Sequence, residues 1–309
     1  VPEPRAIPIL CGPTGAGKTA AAVEAAHGRP IEVVSADSRQ MIRGFDIGTA
    51  KPTPEERAAV PFHLVDVIDP GERYTAFQFI DDATAAIDDI LRRGAIPLVV
   101  GGTGFYLRAL TTGIVEIAEG DLGIRERLER EMAEQGAEAL YAHLTRIDPL
   151  EAARLHPNNR VRVIRALEIF EVTGRTRSEL AVTGRYRKAA HRFAYLCLAP
   201  ERPELYARID ARVEQMMAAG LLAEVRGLAA RIGPEQVRKA NVIGYTELLD
   251  HAEGRLALDE AVALVKQNHR RYAKRQLTWF RHQADCRFFA DRPSLMQELR
   301  ANLAALQGA

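Results

Sequence analysis

Leu10-Cys11-Gly12-Pro13-Thr14-Gly15-Ala16-Gly17-Lys18-Thr19 matches the pattern G-x-x-x-x-G-K-[ST] at every position from Gly12 onward. The apolar run before it, residues 7–11, is long enough for one buried strand, and an alanine-rich run with helical character, residues 19–26, follows. Strand, glycine loop and helix in that order form the context the pattern needs. The glycines let the backbone curl with its N–H groups pointing inward, which makes an anion-binding nest at a helix N-terminus. Lys18 would neutralise phosphate charge, and the Thr19 hydroxyl would reach a phosphate-bound Mg²⁺. The stretch is specific for phosphate chains, and a nucleotide such as ATP is their commonest carrier. It leaves open which bond breaks.

Outward from the loop, residues 1–112 alternate strand-like and helix-like segments. Strands are expected at 7–11, 31–35, 63–67 and 96–100, with helices at 18–27 and 75–93. Such alternation predicts a parallel sheet with crossover helices. Residues 113–120 carry no periodicity and read as a linker. From 121 to 173 the apolar positions recur at three and four, with no strand between. Residues 193–198, FAYLCL, then read as a buried strand, followed by helices at 203–219, 221–231, 245–251, 258–284 and 293–306. The expected fold is α/β: a P-loop NTPase-like parallel-sheet core formed by 1–114 and 191–309, interrupted by an all-helical insertion at 115–190.

Bulk properties narrow the function classes. Of 309 residues, 47% are hydrophobic and 27% charged, as in an ordinary globular protein. Cys11, Cys197 and Cys286 are far apart and odd in number, so neither a disulfide framework nor a zinc spacing is expected. A reducing cytoplasmic setting, no membrane association and a monomeric state are expected; no apolar run approaches a membrane span, and Val1-Pro2-Glu3-Pro4 does not read as a secretory signal. The net charge is only +1, yet it is unevenly spread. Residues 1–120 hold 11 basic and 16 acidic side chains, 154–192 hold 10 and 3, and 266–287 hold 7 and 1. Two basic segments on an otherwise acidic chain point to a polyanionic partner, with solvated helix faces as the plainer explanation.

Several stretches have the residue types chemistry needs. Asp37, in VSADSRQ after the second strand, lies beyond a strand's carboxyl end, where ligands of open α/β sheets sit. It would serve as general base, as a water-mediated Mg²⁺ ligand together with Thr19, or merely as a cap for the following turn. Gly101-Gly102-Thr103-Gly104 ends the fourth strand and permits close backbone approach to a ligand. Residues 46–52, DIGTAKP, read as a surface loop. Arg208 and Arg212 share one helical face, and one of them would reach back to the phosphates. Lys266, Arg270 and Lys274 form a stripe at helical spacing, flanked by Arg271 and Arg275 and followed by Trp279 and Phe280.

GPTGAGKT, SADSRQ, DIGTAKP, GGTGFYLRAL, HPNN, RALEIFEVTG, IGYTEL and RRYAKRQLTWFR occur in that order between about residues 7 and 289. As a set they resemble the tRNA dimethylallyltransferases, the bacterial tRNA isopentenyltransferases. The resemblance implies transfer of a dimethylallyl group from dimethylallyl diphosphate to N6 of the adenine on the 3′ side of the anticodon, in tRNAs reading codons that begin with U. On that implication Gly12, Pro13, Thr14, Gly15, Ala16, Gly17, Lys18 and Thr19 hold the donor diphosphate. Lys18, Thr103 and Arg212 stabilise the departing pyrophosphate, Thr19 binds Mg²⁺, and Asp37 takes the proton from the adenine amine. The implied contacts to the anticodon stem-loop of tRNA are Asp37, Ser38, Arg39 and Gln40; Val161, Arg162, Val163, Ile164 and Arg165; and Asn241, Val242, Ile243, Gly244, Tyr245 and Thr246. The basic residues Arg160, Arg162, Arg165, Lys274 and Arg275 are then the candidates to grip the stem by its phosphates. The adenine would have to leave its stack. Two departures stand out: residues 113–120 replace a proline-rich linker, and Thr246 stands where a lysine is common. Two other readings remain open at this point, a P-loop small-molecule or nucleoside kinase and a non-catalytic RNA-binding module. The absence of a Walker B carboxylate after the fourth strand weighs against the kinase.

Overall fold

The computed structural model describes residues 6–115, 120–184, 186–282 and 285–307. Val1–Thr112 with Ala189–Ala309 form one compact unit and Gly113–Lys188 a second. The first unit opens with β1 (Ile7–Cys11), α1 (Lys18–Ala26), β2 (Ile31–Ala36), α2 (Pro54–Ala59), β3 (Phe62–His63), α3 (Ala76–Arg92), β4 (Ile96–Gly101) and α4 (Gly104–Thr112). The second unit holds β5 (Ile114–Val115), α5 (Leu122–Gln135), α6 (Ala137–Ile147), α7 (Pro149–Ala152), α8 (Arg160–Thr173), α9 (Arg177–Thr183) and β6 (Tyr186–Arg187). The chain returns to the first unit with β7 (Phe193–Leu198), α10 (Arg202–Ala218), α11 (Leu221–Ile232), α12 (Pro234–Lys239), α13 (Tyr245–Ala252), α14 (Leu258–Arg281), β8 (Arg287–Phe289) and α15 (Arg292–Gln307).

Every residue of β1, β2 and β4 is buried. Runs that are apolar but for Glu32 and Ser35 of β2 are what a parallel sheet covered on both faces requires. The six strands lie in the order β3-β2-β4-β1-β7-β8, all parallel. Leu10, Val33, Leu98, Val100, Leu196 and Leu198 share one face, packed against the alanines of α1 and against Leu295, Met296, Leu299 and Leu303 of α15. The alternate residues Ile9, Val34 and Val99 point to the other face, on the side of α3, whose start is fixed by a Thr75–Gln78 capping box. β7 enters beside β1 in register from Ile7↔Phe193 to Cys11↔Cys197. The carboxyl ends of β1, β2 and β4 thereby gather at one edge, where the glycine loop, Asp37 and Gly101–Thr103 emerge.

Four expectations need correction. The strand expected at 63–67 is only Phe62–His63, because Leu64 (φ 61°) and Asp66 (φ 59°) adopt left-handed backbone that no strand accommodates. That twist carries the Asp66 carboxylate onto Lys51 and Arg57; burial opposes its ionisation, but the two cations prevail and hold its pKa below the ordinary value. Residues 46–52 are not a plain surface loop. The Lys51 side chain is buried between the Ile42 carbonyl, Asp46 and Asp66. Glu224 of α11 accepts from the backbone N–H groups of Asp46, Ile47 and Gly48 and from the Tyr245 hydroxyl. The insertion is not all helical, since Ile114↔Arg187 and Val115↔Tyr186 pair as an antiparallel ribbon. The helix expected to run to 284 ends at Arg281, and residue 284 lies outside the described residues. The insertion has its own core of Leu128, Met132, Leu140, Leu144, Val163, Ile164 and Leu167.

Candidate active site

At the strand ends of the first unit lies a cleft of about 680 Å³, a size suited to a small-molecule substrate. Thr14, Gly15, Gly17, Lys18 and Thr19 form its floor, with Asp37–Gln40, Arg212, Asn241–Ile243, His269, Tyr272 and Gln276 around it. The loop that makes the floor is shaped by its glycines. Gly12 has φ 143°, and a Cβ there would meet the Leu198 carbonyl oxygen at 2.3 Å. Gly17, at φ 94°, starts α1 without a side-chain cap, and no acidic residue stands in the first turn. The positive end of the helix is therefore turned on the cleft with no carboxylate of its own to offset it.

Cations add to that field. The Lys18 ammonium donates to the carbonyl oxygens of Gly12 (3.0 Å) and Pro13 (2.9 Å). Burial pushes its pKa down to about 8, against the pull of Asp37 and with help from Arg212. Arg212 is likewise held below its usual range by burial, only partly offset by Asp37 and Glu56. Of the two arginines on this face of α10, Arg208 is occupied: it donates to Ala16 O (3.3 Å) and pairs with Glu204 (2.6 Å). Arg212 makes no hydrogen bond or ion pair among the described residues, so it is the one available to an anion. Ile209, between them, packs on Gly15, where a Cβ would lie 2.7 Å from it.

Asp37 reconciles two readings. Its Oδ1 accepts from the N–H groups of Arg39 (2.9 Å) and Gln40 (3.4 Å), so it does cap a turn. Its Oδ2 accepts no hydrogen bond among the described residues and is left for chemistry. The Thr103 hydroxyl accepts from Ser38 N (3.0 Å) and so steadies the turn that carries Asp37. Gly12, Pro13 and Ala16 are buried behind the loop's exposed face. The Gln40 amide is committed to Thr49 O and Ala50 O, and Arg39 donates to Ala240 O.

Three residues of α14 gain positions that spacing alone does not reveal. Gln276, 6% exposed, accepts from Thr14 N and donates to Gly102 O, each at 2.9 Å. One amide thus ties the phosphate loop to the loop after β4. His269 has a buried Nε2 with no hydrogen-bond partner, and burial followed by the Arg212 charge pushes its pKa down to about 4. Tyr272 also lines the cleft, beneath Arg275 at 5.6 Å from its ring centre. The signal for all three is their i, i+3, i+7 spacing on one helical face.

The stripe on α14 divides in two. Lys266 pairs with Glu214, and Arg270 with Asp210 at 2.6 Å. Arg271, Lys274 and Arg275 instead line an open groove with Arg108 and Trp279. Among the other expected nucleic-acid contacts, Asn241, Val242 and Ile243 reach the cleft wall, while Thr246 is half-buried. Gly244 and Tyr245 do not reach it: Gly244 is buried at the start of α13, and Tyr245 is fully buried against Phe45. On α8, Arg160, Val161 and Arg162 are exposed and Arg165 bonds Glu168. Val163 and Ile164 are 0% and 5% exposed inside the insertion core, so their side chains cannot touch a nucleic acid.

Gln276→Leu keeps the volume but strands the Thr14 N–H and the Gly102 carbonyl. We expect a loss of about 1–3 kcal/mol in chemical denaturation, together with weaker pyrophosphate binding by calorimetry. Unchanged affinity would mean that the bridge does not shape the loop.

A family profile described as IPP transferase matches residues 40–283. The chain is 47% identical over 277 residues to a tRNA dimethylallyltransferase of Geobacter metallireducens, covering 90% of each. It is 51% identical over 273 residues to one from Anaeromyxobacter dehalogenans, covering 88% of this chain and 91% of the relative. Among solved structures, the full-length tRNA isopentenylpyrophosphate transferase of Bacillus halodurans is similar with a TM-score of 0.69 and 39% identity, over 98% of this chain and 97% of that one. A eukaryotic dimethylallyltransferase captured acting on tRNA is similar with a TM-score of 0.78 and 29% identity, over 98% of this chain and 78% of that one. With the profile spanning most of the chain and relatives this similar along nearly all of it, the chain belongs to the IPP transferase family of tRNA dimethylallyltransferases.

Proposed function

We propose that this chain transfers the dimethylallyl group of dimethylallyl diphosphate to N6 of the adenine 3′ to the anticodon, in tRNAs reading codons that begin with U, releasing pyrophosphate. One observation carries the reading. A phosphate loop, two half-buried cations and a carboxylate with one free oxygen meet in a single cleft of substrate size. The diphosphate lies on the loop N–H groups, with Lys18 and Arg212 beside its oxygens. As the allylic carbon–oxygen bond breaks, negative charge gathers on the pyrophosphate, and cations fixed in advance in a partly dry site stabilise it as it develops. The carbon–nitrogen bond forms, and the amine proton passes to Asp37 Oδ2.

The donor set also suits Mg²⁺. Asp37 and Glu56 are the carboxylates lining the cleft, and each has one oxygen held by backbone N–H, Glu56 Oε2 by Thr53 at 2.9 Å. Such a site lacks a protein cage and fits an ion held chiefly by substrate phosphate oxygens, with Thr19 and a water-mediated Asp37 completing it. Bound there, Mg²⁺ would neutralise charge on the leaving group. The same scarcity of carboxylates argues against a kinase, since β4 ends in Gly101-Gly102-Thr103 where a second metal-binding carboxylate would be expected.

Arg108, Arg271, Lys274, Arg275 and Trp279 form a basic groove with an aromatic floor, suited to a phosphate backbone. Arg160 and Arg162 offer exposed charge on the insertion for the same substrate. Among the described residues no helix is long and apolar enough to cross a membrane, and we expect a monomer acting in the cytoplasm.

The test is incubation with unmodified tRNA and labelled dimethylallyl diphosphate, and separately with labelled ATP. Label should enter a tRNA adenine and ATP should persist; ATP turnover without prenylation would favour the kinase. Asp37→Asn keeps an oxygen for the turn but removes the base. Single-turnover transfer should fall by about 10²–10⁴ while tRNA affinity changes little; an active variant would remove Asp37 from the chemistry. The depressed Lys18 pKa sets a pH dependence. Its charge is present below about pH 8 and lost above it. The ratio of wild-type to Lys18→Met pyrophosphate affinity should therefore be flat below that pH and shrink above it, by up to about tenfold per pH unit.

A further inference from the structure

The three cysteines that are scattered in sequence converge in space. Cys11 ends β1, Cys197 lies opposite it in the register of β7, and Cys286 immediately precedes β8. Because Leu196 pairs with Arg287, the next position back sets Cys286 beside Tyr195, two residues from Cys197 and so on the same face of the sheet. The three sulfur atoms lie within 4.8 Å of one another, and no other group of three potential metal-ligating side chains comes together among the described residues. Cys11 and Cys197 are fully buried, while Cys286 is half-exposed and opens the cluster to solvent.

We propose that Cys11, Cys197 and Cys286 form a three-thiolate site for one thiophilic d¹⁰ divalent cation of the zinc class, with a fourth coordination position open toward Cys286. Zinc–thiolate bonds of about 2.3 Å in tetrahedral geometry place sulfurs roughly 3.8 Å apart, which the cluster reaches by side-chain movements within an ångström. Binding exchanges three thiol protons, released to solvent, for one M²⁺ and leaves a net charge of −1. The Lys18 ammonium interacts electrostatically with Cys11 and Cys197 and offsets that charge. Three cysteines acting only as small apolar core residues would have no need to meet at one point across three strands. An ion there would fasten Cys11, the residue before Gly12, to β7 and to the start of β8 beyond it, and so stiffen the entrance to the phosphate loop.

Cd²⁺ is a spectroscopic probe for such sites, since thiolate-to-metal charge transfer absorbs in the near ultraviolet. The fully reduced whole chain should take up one Cd²⁺ with this absorption and lose it to excess Zn²⁺. Cys286→Ser, at a half-exposed position whose loss leaves the core packing alone, should weaken binding on the order of 100-fold or more; Cys11→Ala should do the same. Circular dichroism of each variant reports whether it is folded. Absence of the absorption in the wild type, or equal Cd²⁺ affinity in wild type and folded Cys286→Ser, would overturn the site.

Discussion

Positive charge held where water is scarce is the constraint on which the site is built. Burial lowers the pKa of both Lys18 and Arg212, the guanidinium staying charged, and the start of α1 adds its own positive end with no acidic residue in its first turn. Asp37 Oδ2 and Glu56 Oε1 accept no hydrogen bond among the described residues, and Asp37 is the one carried on the turn directly beyond β2. Like charges crowded in this way disfavour the unliganded fold unless an anion joins them. A diphosphate supplies the missing charge, and a transition state that moves further negative charge onto it gains more than the ground state does. Binding and catalysis thus draw on one arrangement.

The fold exists to hold that arrangement still. Parallel strands bring three loops to one edge, and the covering helices lock them. α10 presses Ile209 onto Gly15 and fixes Arg208 to the loop carbonyl of Ala16, leaving Arg212 free. α14 inserts Gln276 between the phosphate loop and Gly102. Thr103 holds Ser38, and the Asp37 turn holds itself. Apart from the apolar packing of Ile209, these contacts are hydrogen bonds, each worth about 1 kcal/mol net. Their common effect is to fix charges before substrate arrives, so that little reorganisation is needed during the reaction.

Much of this was legible in the sequence where a single local pattern carries the meaning. The glycine loop with its flanking apolar runs specifies strand, nest and helix, and the continuous apolar strands specify a sheet covered on both faces. Other features need the third dimension. Leu64 and Asp66 end a strand through left-handed backbone that brings Asp66 onto Lys51, a pairing that no spacing announces. Val163 and Ile164 sit within a basic segment, but helical rotation turns them into the core while Arg160 and Arg162 face out. Gln276 is one polar residue in a basic stripe, and only the packing of α14 shows its two partners. The cysteines looked unrelated because strand register, not sequence distance, brings them together.

The central claim is that the loop clamps a departing pyrophosphate while Asp37 faces the acceptor. A crystal structure with a thio-substituted, unreactive dimethylallyl diphosphate tests it most directly. The account predicts both phosphates on the N–H groups from Gly15 to Thr19, within hydrogen-bonding distance of Lys18 and Arg212, and the allylic carbon turned toward Asp37. Phosphates lodged in the Arg108–Lys274 groove, or an allyl chain directed away from Asp37, would contradict it.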